Sequence, residues 1–382
     1  MIFATPELNT QEQGVIKAVE KVRGEIKYSL RAPGRWAGTL RRNAFARAIR
    51  GSNSIEGYDV TAEDAIAAAE GEPPLDAPTE TWFAITGYRM AMTYVLQLAS
   101  DQHFCYSEGL LKSLHFMMTQ HELKKHPGTY RPGAIYVRDD QKQTVVYEGP
   151  EAETLSELMP ELITSLNKAP DLPVIIRAAM AHLNLVMIHP FSDGNGRMAR
   201  CLQTLVLGRE GILEPQFSSI EEYLGRNTQA YYDVLAEVGQ GNWHPNRDAR
   251  PWIRFCLTAH YRQAKTIARR IDDTARLWAE LETEINNRKL PDRTIFALAD
   301  AAMGYKVRNS TYRTIADISL NLASRDLNAL VDQGLLTPEG EARGRVYTGT
   351  DILIALRRRT AVSKKIADPF EPTTPELFDQ FA

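Results

Sequence analysis

Between His189 and Arg200 the chain reads HPFSDGNGRMAR. Twelve residues thus carry an imidazole, a carboxylate, two glycines around an amide, and two arginines. An apolar run from Val174 to Ile188 precedes the segment with helical spacing, and Met198 to Leu207 follows it as another helix. The segment is therefore a tight loop that opens a helix. Gly194, Asn195 and Gly196 can turn backbone N–H groups inward there, and a helix N-terminus favours anions. Arg197 and Arg200 stand three apart, so they share a helix face and can both point at a polyphosphate. Asp193 supplies the hard oxygen that a Mg²⁺ riding on that polyphosphate requires. His189 is the only side chain in the segment that titrates near neutrality, which makes it the natural general base.

The segment resembles the Fic family motif HxFx(D/E)GNGRxxR at every specified position: His189, Phe191, Asp193, Gly194, Asn195, Gly196, Arg197 and Arg200. The resemblance runs over about Arg42 to Phe255. It implies transfer of AMP from ATP to a Ser, Thr or Tyr hydroxyl of a target protein or of the chain itself, with Mg²⁺ as cofactor. Upstream, Ser52-Asn53-Ser54-Ile55-Glu56-Gly57 fits (S/T)xxxE(G/N) and resembles the family's inhibitory motif. Ser52 and Glu56 are four apart on one helical face, and Gly57 suits the left-handed stop after a helix. A Glu56 that reaches Arg200 would keep that arginine from the γ-phosphate. Tyr231 and Tyr232 resemble the family region near the nucleotide base, and Tyr232 is the candidate for stacking on adenine.

Other readings stay open at this stage. Some family members transfer UMP, phosphocholine or phosphate. The phosphate-transferring branch departs from glycine within the anion loop, whereas Gly194 and Gly196 are both present here. Some members with an N-terminal inhibitory Glu also remove AMP, with that Glu activating water, so Glu56 fits a de-AMPylase as well. A different class is a DNA-binding regulator whose core only senses nucleotide.

These residues need a helical frame to hold them. Amphipathic spacing predicts helices over 11–26, 36–50, 62–69, 80–99, 107–120, 153–167, 172–188, 196–207, 220–238 and 251–287. Two β-rich runs, Gly133–Val137 and Thr144–Tyr147, flank a polar stretch and predict a hairpin. With Gly128-Thr129-Tyr130-Arg131 before it and Pro150 after it, this hairpin resembles the Fic flap, which implies pairing with an extended segment of the target. Beyond Arg288 basic residues outnumber acidic ones. Helices at 293–303, 314–319 and 324–333, then a hairpin around Gly340–Gly344, resemble a winged helix-turn-helix with Arg325 and Asn328 on its third helix. The expected fold is mainly α: a helical core with a β-hairpin flap and a winged-helix-like C-terminal domain. The expected domains are an inhibitory helical region at 1–100, a catalytic core at 101–287, the winged-helix-like domain at 288–365 and an acidic tail at 366–382.

Composition bounds the rest. The chain has 382 residues, 43% of them hydrophobic and 24% charged, which describes an ordinary globular protein. A net charge of −3 argues against a whole-chain nucleic-acid coat, although a DNA or protein partner for the C-terminal part, or a homodimer, fits the pattern. Cys105, Cys201 and Cys256 are far apart and form no CxxC, so no disulfide framework or zinc site is expected. No signal-like N-terminus or bilayer-length apolar run is present, and the expected location is the cytoplasm, with no membrane partner.

Overall fold

The computed structural model describes residues 1–31, 34–139, 144–168, 171–211, 213–341, 344–362 and 365–371. It is mainly helical. In chain order the elements are α1 (Thr10–Arg31), α2 (Ala37–Ser54), α3 (Ala62–Glu70), α4 (Thr79–Leu98), α5 (Glu108–Thr119), β1 (Tyr136–Asp139), β2 (Thr144–Glu148), α6 (Leu155–Asn167) and α7 (Val174–Ile188). There follow α8 (Asn195–Arg209), α9 (Pro215–Ser218), α10 (Glu221–Arg226), α11 (Thr228–Gly239) and α12 (Arg250–Asn287). The last group is α13 (Ile295–Ala302), β3 (Val307–Arg308), α14 (Asn309–Ala316), α15 (Leu320–Asp332), β4 (Leu336–Glu339), β5 (Val346–Gly349) and α16 (Asp351–Thr360).

Helix α7 is apolar on all sides, and every residue but Arg177 and Val186 is buried. That pattern puts it at the centre of the main core, where it packs chiefly on α8. Two polar groups around it are paired. His182 Nδ1 faces Gln203 Oε1 at 2.6 Å, and its Nε2 faces the Tyr231 hydroxyl at 3.0 Å. The Trp252 indole donates to the Ala179 carbonyl at 2.7 Å. The same core takes in Val15 and Val19 of α1, Ile49 of α2 and Met92 of α4. The expected border near residue 100 is therefore absent from the packing, because the N-terminal helices close the same core as α7 and α8.

Helix α12 ties the molecule together. Over 38 residues it gives Trp252 and Leu257 to the main core, Ile267 and Ile271 to a second cluster with α1, and Trp278 and Leu281 to the C-terminal core. The C-terminal part joins α13 to α16 with an antiparallel sheet of order β3-β5-β4. Two expected elements shift. The second helix lies at Asn309–Ala316, since left-handed Asp317 (φ 51°) ends it and the Ser319 hydroxyl caps α15. The expected helix over 220–238 is broken at Asn227, whose side-chain amide donates back to the Tyr223 carbonyl at 2.8 Å. Arg325 and Asn328 are exposed on α15. The expected tail is docked at its start: Asp368 pairs with Arg262 at 3.2 Å, and Arg254 lies 4.3 Å over the Phe370 ring. Residues 372–382 lie outside the described residues, as do the hairpin turn at 140–143 and part of the turn near Gly340–Gly344. Among the described residues no helix is long and apolar enough to cross a membrane.

Helix α2 meets the C-terminal part through a buried ion pair, Arg42 with Asp300, whose side chains are 6% and 10% exposed. Breaking such a pair strands a charge. Asp300→Ala should therefore lower unfolding stability by about 3–5 kcal/mol in denaturant melts. Replacing both partners with apolar residues should recover most of that loss; a double variant as unstable as Asp300→Ala would show that the effect is not a stranded charge.

Candidate active site

The loop between α7 and α8 is built by its own side chains. His189 ends α7 in the left-handed region (φ 52°), and its amide donates to the Leu185 carbonyl at 3.0 Å. Its Nδ1 lies 2.9 Å from the Val186 carbonyl. A carbonyl only accepts, so Nδ1 carries the proton and Nε2 keeps the lone pair. Burial pulls the imidazole pKa down, with the Val186 carbonyl opposing, so the ring is neutral at physiological pH. A neutral imidazole with a fixed tautomer is what a general base requires.

Asn195 acts as a clamp. Its Oδ1 accepts from the Phe191 amide at 2.9 Å and its Nδ2 donates to the Phe191 carbonyl at 2.8 Å. The Asn195 side chain is therefore spent on shaping the loop, which leaves only its backbone N–H for an anion. Gly194 sits at φ 75°, where a side chain would be strained. Phe191 is fully buried and stacks on His115 at 3.8 Å between centroids. His115 Nδ1 accepts from the Gly128 amide at 2.9 Å, so its Nε2 bears the proton and donates to the Asp193 carbonyl at 2.9 Å. Arg131 holds the other side, donating to the carbonyls of His189 (2.8 Å), Gly133 (2.6 Å) and Pro150 (2.5 Å). It thus fastens both ends of the hairpin to the loop.

The two arginines are 1% exposed each. Arg197 lies 5.2 Å over the Tyr58 ring and 3.4 Å from Asp193 Oδ2. Its Nε and Nη1, and Nη1 of Arg200, have no hydrogen-bond partner among the described residues. Buried guanidinium groups of this kind fit an anionic ligand. Arg200 is otherwise wrapped by the end of α2. Its Nε donates to Ser52 Oγ at 2.8 Å, and its Nη2 to the Ser52 carbonyl at 2.9 Å and to Glu56 Oε1 at 2.6 Å. Burial opposes the charge on Arg200, and Glu56 together with the hydroxyls of Tyr231 and Tyr88 more than offsets it. Gly57, at φ 80°, turns the chain away immediately after Glu56. A β-carbon at Gly196 would collide with Glu56 Oε1, so that glycine leaves room for the carboxylate.

Tyr232 lies beside the turn that carries Glu56. Its hydroxyl donates to the Ile55 carbonyl at 3.0 Å, which holds the turn that carries Glu56, while 44% of the residue is exposed. Asp193 is held below the usual carboxylate range: burial acts against this, but Arg197 and Lys125 outweigh it. Lys125 Nζ is 3.0 Å from Asp193 Oδ2 and 2.8 Å from Glu122 Oε2. In the hairpin, Tyr136 pairs with Glu148 and Val137 with Tyr147, with a bulge before Arg138. Strand β2 also meets Asn242, whereas β1 has only β2 as a strand partner among the described residues. The sequence reading missed His115 and Lys125, which sit on α5 and the turn after it with no spacing to flag them. It noted Arg131 only as part of the stretch before the hairpin.

Residues 105–207 match the family model described as Fic/DOC family. This segment is a Fic domain. Similar proteins include the protein adenylyltransferase Fic of Nematostella vectensis, 26% identical over 66% of this chain and 55% of that one. The protein of the same name from Aedes aegypti is 30% identical over 56% of this chain and 40% of its own length. The chain spans about half the length of the curated relatives it matches. A Fic family protein structure from Desulfovibrio desulfuricans G20 shares the fold over 91% of this chain and 99% of its own, with a TM-score of 0.58 at 21% identity. Fic-1 from C. elegans aligns over 67% of this chain and 71% of the solved chain, with a TM-score of 0.52 at 20% identity. The first of these likenesses extends well past the Fic domain.

Three buried histidines are held neutral in the fold. Burial lowers the pKa of His115 to about 4 and of His182 to about 3, and also depresses that of His260. The unfolded chain takes up these protons near 6.5, so stability is full above that pH and declines as pH falls toward 4. Denaturant melts at pH 7 and pH 5 should show a clear loss at the lower pH, and His115→Asn should reduce the difference. Equal stability at the two pH values would mean that these rings are not neutral in the fold.

Proposed function

We propose that the protein transfers AMP from ATP to a Ser, Thr or Tyr hydroxyl of a target protein, itself included, and that Glu56 restrains the reaction. The observation that carries this reading is the capture of Arg200 by Ser52 and Glu56 beside a loop that also holds His189 and Arg197. In this reading His189 Nε2 takes the proton from the target hydroxyl. The hydroxyl oxygen bonds to the α-phosphorus, the bond to the bridging oxygen of the β-phosphate breaks, and pyrophosphate leaves. The backbone N–H groups of Gly194, Asn195 and Gly196, together with Arg197 and Arg200, take up the spreading negative charge. The exposed ring of Tyr232 is the candidate platform for the base. The outer edge of β1 offers backbone groups to an extended target segment.

Mg²⁺ fits this arrangement as a passenger on ATP. Asp193 provides one carboxylate, and the described residues contain no cluster of three or more metal-ligating side chains. A magnesium ion held by one carboxylate and by phosphate and water oxygens suits that donor set. When bound, it would neutralise phosphate charge. We take residues 1–287 as one catalytic unit and 288–365 as an accessory one. Three free cysteines and an ATP substrate fit the cytoplasm.

Labelled ATP and cell lysate test the reading. His189→Ala should lose about 10²–10⁴-fold in transfer while still binding ATP. Transfer at the wild-type rate would remove His189 from the mechanism. Glu56→Gly should raise transfer, including self-modification. If it does not, incubating modified target with wild type and following AMP release asks whether the enzyme works in removal instead.

Arg200→Ala should not mimic Glu56→Gly, because Arg200 serves both the restraint and the nucleotide. The double variant should be less active than Glu56→Gly alone by about 1–3 kcal/mol of activation free energy. Equal activity at subsaturating ATP would restrict Arg200 to the restraint.

A further inference from the structure

One cation already occupies the position that the functional reading reserves for magnesium. Lys125 Nζ lies 3.0 Å from Asp193 Oδ2, and Arg197 Nη2 lies 3.4 Å from the same oxygen. A magnesium ion would approach that oxygen to about 2.0–2.1 Å and accepts little distortion of its octahedron. An ammonium on the same oxygen obstructs that shell and repels the ion. Lys125, unlike Arg197, can leave. It is 31% exposed, whereas the Arg197 side chain is 1% exposed and fixed. It sits on the short helical turn Leu123–Lys125, and its flexible four-carbon stem can swing. It also has a second seat, since Glu122 Oε2 is 2.8 Å from the same Nζ.

We propose that Lys125 is the resident counter-ion of Asp193 in the nucleotide-free protein, and that a magnesium–nucleotide complex displaces it onto Glu122. This rests on the reading of Asp193 as a metal ligand. Lys125 then sets how much divalent metal the site needs. Without nucleotide the ammonium keeps the loop carboxylate neutralised, so the aspartate does not repel an arriving polyphosphate. With nucleotide, the phosphates bring the metal, and the ammonium moves only as far as its neighbouring carboxylate.

The test is direct metal binding. Mn²⁺ is titrated into the full-length protein with a saturating non-hydrolysable ATP analogue, and free Mn²⁺ is read by electron paramagnetic resonance. Lys125→Gln should tighten Mn²⁺ binding about 2–5-fold, the range of a half-exposed ion pair. Lys125→Arg, which keeps the cation, should bind like the wild type. Lys124→Gln removes a charge from the same turn without touching Asp193, and should change binding by less than half as much in logarithmic terms. Unchanged or weaker Mn²⁺ binding by Lys125→Gln would overturn the proposal. An equal effect from Lys124→Gln would reduce it to a general field and overturn it too. Asp193→Asn separates the two levels. If it abolishes Mn²⁺ binding while Lys125→Gln has no effect, only the role of Lys125 fails. If Asp193→Asn binds Mn²⁺ like the wild type, the metal site itself fails.

Discussion

Arg200 is a cation with nowhere to hide its charge. It is 1% exposed, so water cannot solvate it, and a buried guanidinium without an anion costs several kcal/mol. The fold must supply a counter-charge whenever no ligand does. Ser52 and Glu56 meet that need from the end of α2, with one oxygen on Nε and two on Nη2. A polyphosphate would meet it equally well. The two solutions compete for Nε and Nη2 of the same guanidinium, while Nη1 has no partner among the described residues. Inhibition in this reading is thus the ordinary pairing of a buried charge, and relief of it requires a better anion or a displaced α2.

The position of α2 gives that displacement a route. Its stretch up to Arg47 is fixed to the C-terminal part by Arg42 on Asp300, by Asn43 at 3.6 Å from Met303 Sδ, and by Arg47 at 3.0 Å from the Tyr305 hydroxyl. Its C-terminal half carries Ser52 and leads into Glu56. Between them, Gly51 crosses α10 so closely that a β-carbon there would strike the backbone of Glu221 and Glu222. One rigid helix therefore has the C-terminal part at one end and the Arg200 contact at the other.

Much of this was legible in the sequence, and the legible part has a physical character. The anion loop is local: its glycines, its Asn195 clamp and its arginines act within twelve residues, so spacing alone exposes them. The helices were legible because a buried stripe needs a period of 3.6 residues. The pairing of Glu56 with Arg200 spans 144 residues of chain, and only a family resemblance suggested it. His115, Arg131 and Lys125 were not legible as parts of the site. Each acts on the loop through space from another element, and histidine, arginine and lysine on helices and turns are usually surface residues or satisfied core ones. The missed break at Asn227 has a related cause. A side chain that bonds its own backbone ends a helix even where apolar spacing continues.

The site divides into groups that hold shape and groups that exchange. Phe191, Asn195, Arg197 and Arg200 are at most 2% exposed, and His115 stacks fully buried against the first of them. Burial and, for Asn195, Arg200 and His115, hydrogen bonds of 2.6–2.9 Å fix where an anion would lie before any arrives, which is the condition for electrostatic stabilisation without reorganisation. Glu56, Lys125 and Asp193 have side chains 26%, 31% and 32% exposed. Each pairs with an opposite charge that a nucleotide or its metal could claim. Partial exposure lowers the cost of breaking those pairs, because water receives the released group. A buried Glu56 would hold Arg200 too tightly to yield, and a fully exposed one would hold it too weakly to inhibit. In the proposed function, the intermediate exposure of all three side chains lets them give up their partners while the loop itself stays in place.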